Sequence, residues 1–62
     1  METNENAAAE TYWLDLGTTK VYYHVTGDNT VAVRGKSITI SRQRLLDFLA
    51  TARELGHKTG KL

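Results

Sequence analysis

The sequence predicts an α+β fold, a three- to four-stranded antiparallel β-meander with one C-terminal α-helix packed on one face. Short stretches of alternating apolar and polar residues fill the middle of the chain, separated by glycine-containing turns at Gly17, Gly27 and Gly35. From Ser41 onward, the apolar spacing changes to that of an amphipathic helix. We place strands at about 11–16, 19–26, 30–34 and 37–40 and the helix at about 42–55.

The chain is short enough to form only one domain. Residues 1–10 are polar and acidic, and we expect a disordered tail there. Residues 11–57 form the predicted compact domain, and residues 58–62 a flexible basic tail. A chain of this size buries only about 60% of its unfolded surface, so self-association into a homodimer is one way for it to gain stability.

The first predicted hairpin has the strongest support. Gly17-Thr18 suits a two-residue type II′ turn, in which the first central residue needs a positive φ. Counting outward from this turn sets Asp15 opposite Lys20 and Trp13 opposite Tyr22. A shift by one residue would mismatch every pair, so the agreement along the strands favours this register.

The next two turns are predicted in the same way. Gly27-Asp28-Asn29 is interpreted as a three-residue loop with Asn29 in the left-handed region, because a two-residue Asp28-Asn29 turn would mix the two faces. Gly35-Lys36 is interpreted as a second type II′ turn, setting Arg34 opposite Ser37 and Val33 opposite Ile38. The fourth strand is short, and an extended lead-in to the helix is the alternative.

Ser41 is a suitable N-cap for the helix, and Gly56 a suitable residue just beyond its C-terminus. Alternation and helical spacing then define one apolar face on the sheet and one on the helix. The predicted core consists of Tyr12, Leu14, Val21, Tyr23, Val25, Val31, Val33, Ile38 and Ile40 from the sheet and Leu45, Phe48, Leu49, Ala52 and Leu55 from the helix.

Composition excludes several classes of site. The chain has no cysteine, so disulfides and thiolate metal sites are impossible, and His24 and His57 are too far apart in sequence for a zinc motif. We find no paired carboxylates and no nucleophile-base set, so we expect neither an enzyme nor a cofactor. With no signal-peptide pattern and no apolar run of about 18 residues, we expect a cytoplasmic protein without a membrane segment.

The sheet face away from the helix is the predicted functional surface. The register places Trp13, Tyr22, His24 and Arg34 on it, with Lys20 and Lys36 at its edge. Aromatic side chains on an uncovered sheet suit base stacking, and the cations suit phosphates. We therefore expect a small nucleic-acid-binding or regulatory accessory protein. The alternatives are a protein-binding module or inhibitor, homodimeric or not, that uses this face or an edge strand, or a structural pair of aromatics with no partner.

The order of elements, sheet first and helix last, resembles two nucleic-acid-binding modules. One is the single-strand-binding fold of a family of transcriptional coactivators, which the stretch from Gly35 to Ser41 also resembles. The other is the three-stranded arm-binding domain of phage-type integrases. The resemblance implies nucleic-acid binding and assigns a role to no individual residue.

Overall fold

A computed structural model describes residues 10–62 as a five-stranded antiparallel sheet with one helix on one face. The α+β class and the predicted meander are confirmed, and the sheet gains a fifth strand. Spatially, the strands are arranged in the order β4-β3-β2-β1-β5. The predicted N-terminal tail lies outside the described residues except for Glu10, which begins the first strand. The elements are β1 (Glu10–Asp15), β2 (Lys20–Gly27), β3 (Thr30–Val33), β4 (Lys36–Thr39), α1 (Arg42–Glu54) and β5 (Lys58–Lys61).

The β1–β2 hairpin has the predicted turn and register. Gly17 has a φ of 93°, which a glycine adopts without steric cost. The Leu16 N–H donates to the Thr19 carbonyl at 2.8 Å, and the Asp15 carboxylate accepts from the Gly17 N–H at 2.8 Å. Trp13 lies opposite Tyr22. This hairpin fixes which residues of the two central strands share a face.

The β2–β3 turn differs from the prediction, although the register beyond it is confirmed. Gly27 pairs with Thr30, so only Asp28 and Asn29 form the turn, and Asn29 is not left-handed. The register shifts between Val25 and Gly27, which makes Thr26 the extra residue of a β-bulge. A bulge removes one residue from the alternation, so a two-residue turn does not mix the two faces.

The β3–β4 turn lies one residue earlier than predicted. Arg34 and Gly35 form it, with φ values of 53° and 81°, and two consecutive positive φ values are typical of a type I′ turn. Val33 therefore pairs with Lys36, and Val31 with Ile38. The fourth strand exists, but the predicted pairing of Arg34 with Ser37 and of Val33 with Ile38 is wrong.

Helix α1 begins and ends with the predicted caps. The Ser41 hydroxyl accepts from the Arg44 N–H at 3.1 Å. Gly56 has a φ of 100°, and its N–H donates to the Arg53 carbonyl at 3.0 Å, while the His57 N–H donates to the Ala52 carbonyl at 3.0 Å. These two bonds form a Schellman motif, which ends the helix and turns the chain back along the sheet.

Residues 58–61 form a strand, so the prediction of a C-terminal tail is wrong. Strand β5 runs antiparallel to β1, with Thr59 opposite Leu14 and Lys61 opposite Tyr12. The Leu62 N–H continues the ladder by donating to the Thr11 carbonyl at 2.9 Å. The last strand of the sequence thus lies next to the first, at the edge of the sheet farthest from β4.

An ion pair joins the start of the helix to the start of β1. The Arg42 Nε donates to Glu10 Oε1 at 2.8 Å, and the Tyr12 hydroxyl donates to the same oxygen at 3.1 Å. The hydrogen bond from Arg42 lowers the pKa of Glu10, and partial burial opposes this shift.

The core lies between the sheet and α1, but the helix covers only part of the predicted apolar face. A helix about 10 Å wide cannot span five strands spaced about 4.8 Å apart. On the sheet, Ile38 is consequently exposed, and Tyr23, Val33 and Ile40 are half-buried; on the helix side, Phe48 and Leu55 are also exposed. The buried core consists of Tyr12, Leu14, Val21, Val25, Val31, Leu45, Leu49 and Ala52.

Candidate nucleic-acid interface

The sheet face opposite the helix carries four of the six predicted site residues. Successive side chains of a strand point to opposite faces, and directly paired residues point to the same one. Trp13 in β1 and Lys20, Tyr22 and His24 in β2 therefore share this surface, which we call the open face. Tyr22 is 42% exposed, and no other element within residues 10–62 covers it.

Trp13 lies against β5. It pairs with Gly60, and a Cβ atom built on Gly60 would be 2.6 Å from Cε2 and Cζ2 of the indole. No real side chain approaches that closely, so the indole occupies the space that any larger residue at position 60 would fill. Contact with this glycine explains why Trp13 is half-buried on a face that has no helix.

A lysine interacts with the indole. Lys20 Nζ is 4.7 Å from the centroid of the Trp13 ring, a distance typical of a cation–π contact. Asp15 pairs with Lys20 on one side and with Lys58 of β5 on the other. Two lysines and one aspartate therefore form a row across the open face, beside the aromatic pair.

Lys58 is a residue of this face that the sequence did not reveal. Its place depends on β5, and the Lys-Thr-Gly-Lys sequence of that strand has no apolar alternation to predict it. Only the Schellman ending of the helix, for which Gly56 is the sequence signal, indicates that the chain turns back.

His24 is held by its neighbour on β1. The Thr11 Oγ1 and the His24 Nδ1 are 2.9 Å apart and form a hydrogen bond across the strands. Ala32 lies on the other side of His24, and Ser37 follows on β4. This row carries Thr11, His24 and Ser37, so it offers hydrogen bonds to a ligand.

The predicted placement of Arg34 and Lys36 is wrong. Arg34 lies in the β3–β4 turn and not in the Trp13–Tyr22 row, because its positive φ takes it out of the strand. Burial raises the pKa of the Tyr23 hydroxyl, and the positive charge of Arg34 acts in the opposite direction. Lys36 pairs with Val33, so its side chain belongs to the helix-side face of the edge strand.

Other kinds of site receive no support from the described residues. Residues 10–62 contain no group of three or more His, Asp or Glu side chains that could hold a metal ion. In the same part of the chain, the single helix is too short and too polar to cross a membrane.

Comparisons of the chain with protein-family models, with curated protein sequences and with solved structures find no match.

Proposed function

We propose that this chain is a small non-enzymatic protein that binds single-stranded nucleic acid on its open face. The observation that carries the proposal is the side-by-side placement of Trp13 and Tyr22 on an uncovered sheet, with the Lys20 ammonium over the indole. Single strands are favoured over duplexes because their unstacked bases can lie on aromatic rings.

Tyr22 provides the more accessible ring. Trp13 has Gly60 on one side and Lys20 nearby, so a base stacks on it only after Lys20 moves away. An exposed cation–π contact is worth about 0.5–1 kcal/mol, whereas stacking contributes about 1–3 kcal/mol per base. The exchange favours the base, and it frees Lys20 to contact a phosphate.

The charge on the open face supports weak binding with a shallow dependence on salt. Lys20 and Lys58 flank Asp15, so two cations are available beside the aromatic pair. For two phosphate contacts with a single strand, the slope of log K against log salt concentration is about −1.4. Binding at this face therefore depends on stacking more than on charge.

The test is a titration of the full chain with single-stranded and double-stranded oligonucleotides at two salt concentrations. Trp13 is the only tryptophan, so its fluorescence reports directly on the open face. We expect quenching by single strands at low salt and a shallow loss of affinity with added salt. Absence of any fluorescence change and of any complex at low salt would refute the proposal.

Two variants and a matched control assign the binding to this face. Tyr22→Ala should weaken binding about 5- to 150-fold, the equivalent of one stacked base. Lys58→Gln should reduce the salt slope by about 0.7. Lys36→Gln removes the same charge from the other side of the sheet and should change neither quantity.

A protein partner on the same face is the competing interpretation, since Trp and Tyr also anchor protein interfaces. It predicts no oligonucleotide binding, so the titration distinguishes the two.

A further inference from the structure

Strand β5 forms one edge of the sheet, and no strand in the described part of the chain pairs with its outer side. The Leu62 N–H donates to the Thr11 carbonyl, and hydrogen-bonded pairs recur at every second residue of an antiparallel ladder. Gly60 therefore directs its N–H and C=O groups towards β1, and Thr59 and Lys61 direct theirs outward. This edge thus presents backbone donors and acceptors at the spacing that an extended chain requires.

The side chains of the same two outward residues lie on the helix side of the sheet. Lys61 lies opposite Tyr12, and Thr59 lies opposite Leu14, and directly paired residues share a face. Lys61 Nζ is 5.9 Å from the centroid of the Tyr12 ring. The Arg53 Nη1 donates to Thr59 Oγ1 at 2.9 Å. Two cations, one from α1 and one from β5, therefore lie beside the outward backbone groups.

A groove of about 360 Å³ runs between α1 and β5 next to this edge. Its lining combines apolar side chains with cationic and hydroxyl groups and includes Tyr12, Leu46, Leu49, Arg53, Thr59 and Lys61. None of the lining residues, all within the described part of the chain, is acidic. The Glu10 carboxylate, on the same side of β1, is paired with Arg42. The groove therefore suits side chains with an aliphatic stem and a negatively charged end.

We propose that β5 binds an extended acidic peptide, which joins the sheet as a further antiparallel strand. The outward backbone groups require an extended partner, and the cations favour an acidic one. Antiparallel pairing sets two peptide residues, separated by one, opposite Thr59 and Lys61, with their side chains on the helix side. A glutamate opposite Thr59 then lies beside the Arg53 guanidinium, and a glutamate opposite Lys61 lies beside its ammonium group. The recognised pattern is two acidic residues separated by one residue of any kind.

A second copy of β5 fits this edge poorly. Self-pairing through the outward groups of both residues sets Thr59 of each copy opposite Lys61 of the other. Each Lys61 ammonium group would then approach the Arg53 guanidinium of the other copy, because Arg53 is bound to Thr59. Like charges placed opposite one another destabilise a strand pair. The charges of this edge therefore favour a separate acidic strand.

The experiment is an NMR titration of the full, isotope-labelled chain with a synthetic peptide of about seven residues, in which two glutamates flank a central valine. The Thr59 and Lys61 amides should shift and become protected from hydrogen exchange. The Ser37 and Thr39 amides face outward from β4 by the same alternation and are the matched control, which should stay unprotected. Absence of binding up to about 1 mM peptide, or equal protection of both edges, overturns the proposal. Protection of Thr59 and Lys61 by concentrating the chain without peptide would indicate self-pairing and also overturns it.

Methylated peptides separate strand addition from simple attraction between charges. A methyl group on the backbone nitrogen of a glutamate blocks an amide that faces β5 and should weaken binding about tenfold or more. A methyl group on the valine nitrogen faces away from β5 and should leave the affinity unchanged. All of these peptides carry the same charge. Equal affinity of the methylated and unmethylated peptides, or a loss with the valine methyl alone, overturns the proposal.

Exchange of charges tests the register. Lys61→Glu replaces an attraction by a repulsion and should weaken binding about 5- to 25-fold, the equivalent of two exposed ion pairs. Antiparallel pairing sets the first glutamate of the peptide opposite position 61, so a peptide with lysine there should restore the affinity for this variant. A peptide with lysine in place of the second glutamate should not, because that lysine faces Arg53. Restoration by both lysine peptides or by neither overturns the proposal.

Peptide binding at the edge and oligonucleotide binding on the open face are separate properties. Tyr22→Ala should leave the affinity for the peptide unchanged, because Tyr22 lies on the other face of the sheet and two strands away from the outer side of β5. The two proposals can therefore fail independently. Loss of peptide binding in Tyr22→Ala would place the peptide on the open face and overturn the assignment to β5.

Discussion

Gly60→Ala should destabilise the protein by displacing Trp13. Gly60 lies in the edge strand β5 and does not have a positive φ, so its backbone conformation is open to alanine. The added methyl group would be 2.6 Å from two atoms of the indole and 2.7 Å from a third, Nε1. Either the indole rotates away from the sheet or β5 moves away from β1.

The magnitude follows from two opposing effects. Overpacking a close contact costs about 1–3 kcal/mol. Replacing glycine by alanine in a compatible backbone conformation stabilises by about 0.4–1 kcal/mol, because the unfolded chain loses freedom. The cost of overpacking exceeds this gain, and we expect a net loss of about 0.5–2 kcal/mol in the free energy of unfolding.

Urea unfolding, followed by far-UV circular dichroism and by Trp13 fluorescence, measures this loss. The wavelength of Trp13 fluorescence emission in the folded variant should shift towards that of a solvent-exposed indole. Gly27→Ala is the matched control: the new methyl group would meet Thr30 at 3.8 Å, an ordinary contact, and the stability should be unchanged or slightly higher. Unchanged stability and emission in Gly60→Ala would refute the reasoning.

A double-mutant cycle isolates the contact itself. In a Trp13→Val background, the methyl group at position 60 has no indole to displace, so Gly60→Ala should become neutral or stabilising. The difference between the two backgrounds is the interaction energy between the side chains. Equal effects in both backgrounds would mean that the alanine acts on β5 by another route.

Three further substitutions test the turn, the helix cap and the ion pair. Arg34→Asn should raise the free energy of unfolding by about 0.5–1 kcal/mol, because asparagine tolerates the left-handed conformation that Arg34 adopts at a φ of 53°. Thermal unfolding measures this gain, and a loss of stability would favour a register with Arg34 in the strand. Ser41→Ala should lower the free energy of unfolding, measured with urea, by about 1 kcal/mol and reduce the helix content, since the Arg44 N–H loses its acceptor. The pKa of Glu10 is below its ordinary value in the folded state, so its stabilising effect is present above about pH 4.3 and is lost as the pH falls through the folded-state pKa. Glu10→Gln should remove this part of the acid dependence, and an unchanged profile from pH 2 to 6 would contradict it.

The register of the first hairpin was predictable because any other register would place its apolar residues on different faces of the sheet. A shift by one residue would place Leu14 and Val21 on different faces, and the sequence contains no bulge residue to compensate. The same argument gave the correct position of Trp13, Tyr22, His24 and Lys20 on one face. Local turn chemistry and face alternation agreed, which is the condition under which sequence specifies structure.

The third turn was not predictable by the same reasoning. Gly35 fits the first position of a type II′ turn with Lys36 and the second position of a type I′ turn with Arg34. The two registers differ by two residues, so Ile38 lies opposite a valine in both, Val33 in one and Val31 in the other. Face alternation cannot distinguish such a shift, and Arg34 was consequently placed on the open face in error.

The fifth strand was missed because its stability comes from its neighbours. It has a glycine at its third position and lysines at both ends, a composition unfavourable for a strand in isolation. The strand is stabilised instead by its hydrogen bonds to β1 and by the packing of Trp13 over Gly60. Lys58 could not be assigned to the site before this strand was known.

Trp13 consequently has a structural role that must be separated from any role in binding. Its indole fills the space over Gly60, so a Trp13→Ala variant would lose stability and affinity together, and neither loss could be interpreted alone. Tyr22 is beside it on β2, is 42% exposed and has no such glycine opposite. If Tyr22→Ala keeps the wild-type stability and loses oligonucleotide affinity, the open face is a binding surface. If it loses stability and keeps affinity, the aromatic pair serves to hold β1 to its neighbouring strands. If it loses neither, the exposed apolar side chains of the helix side, Phe48 and Leu55, become the surface on which to search for function.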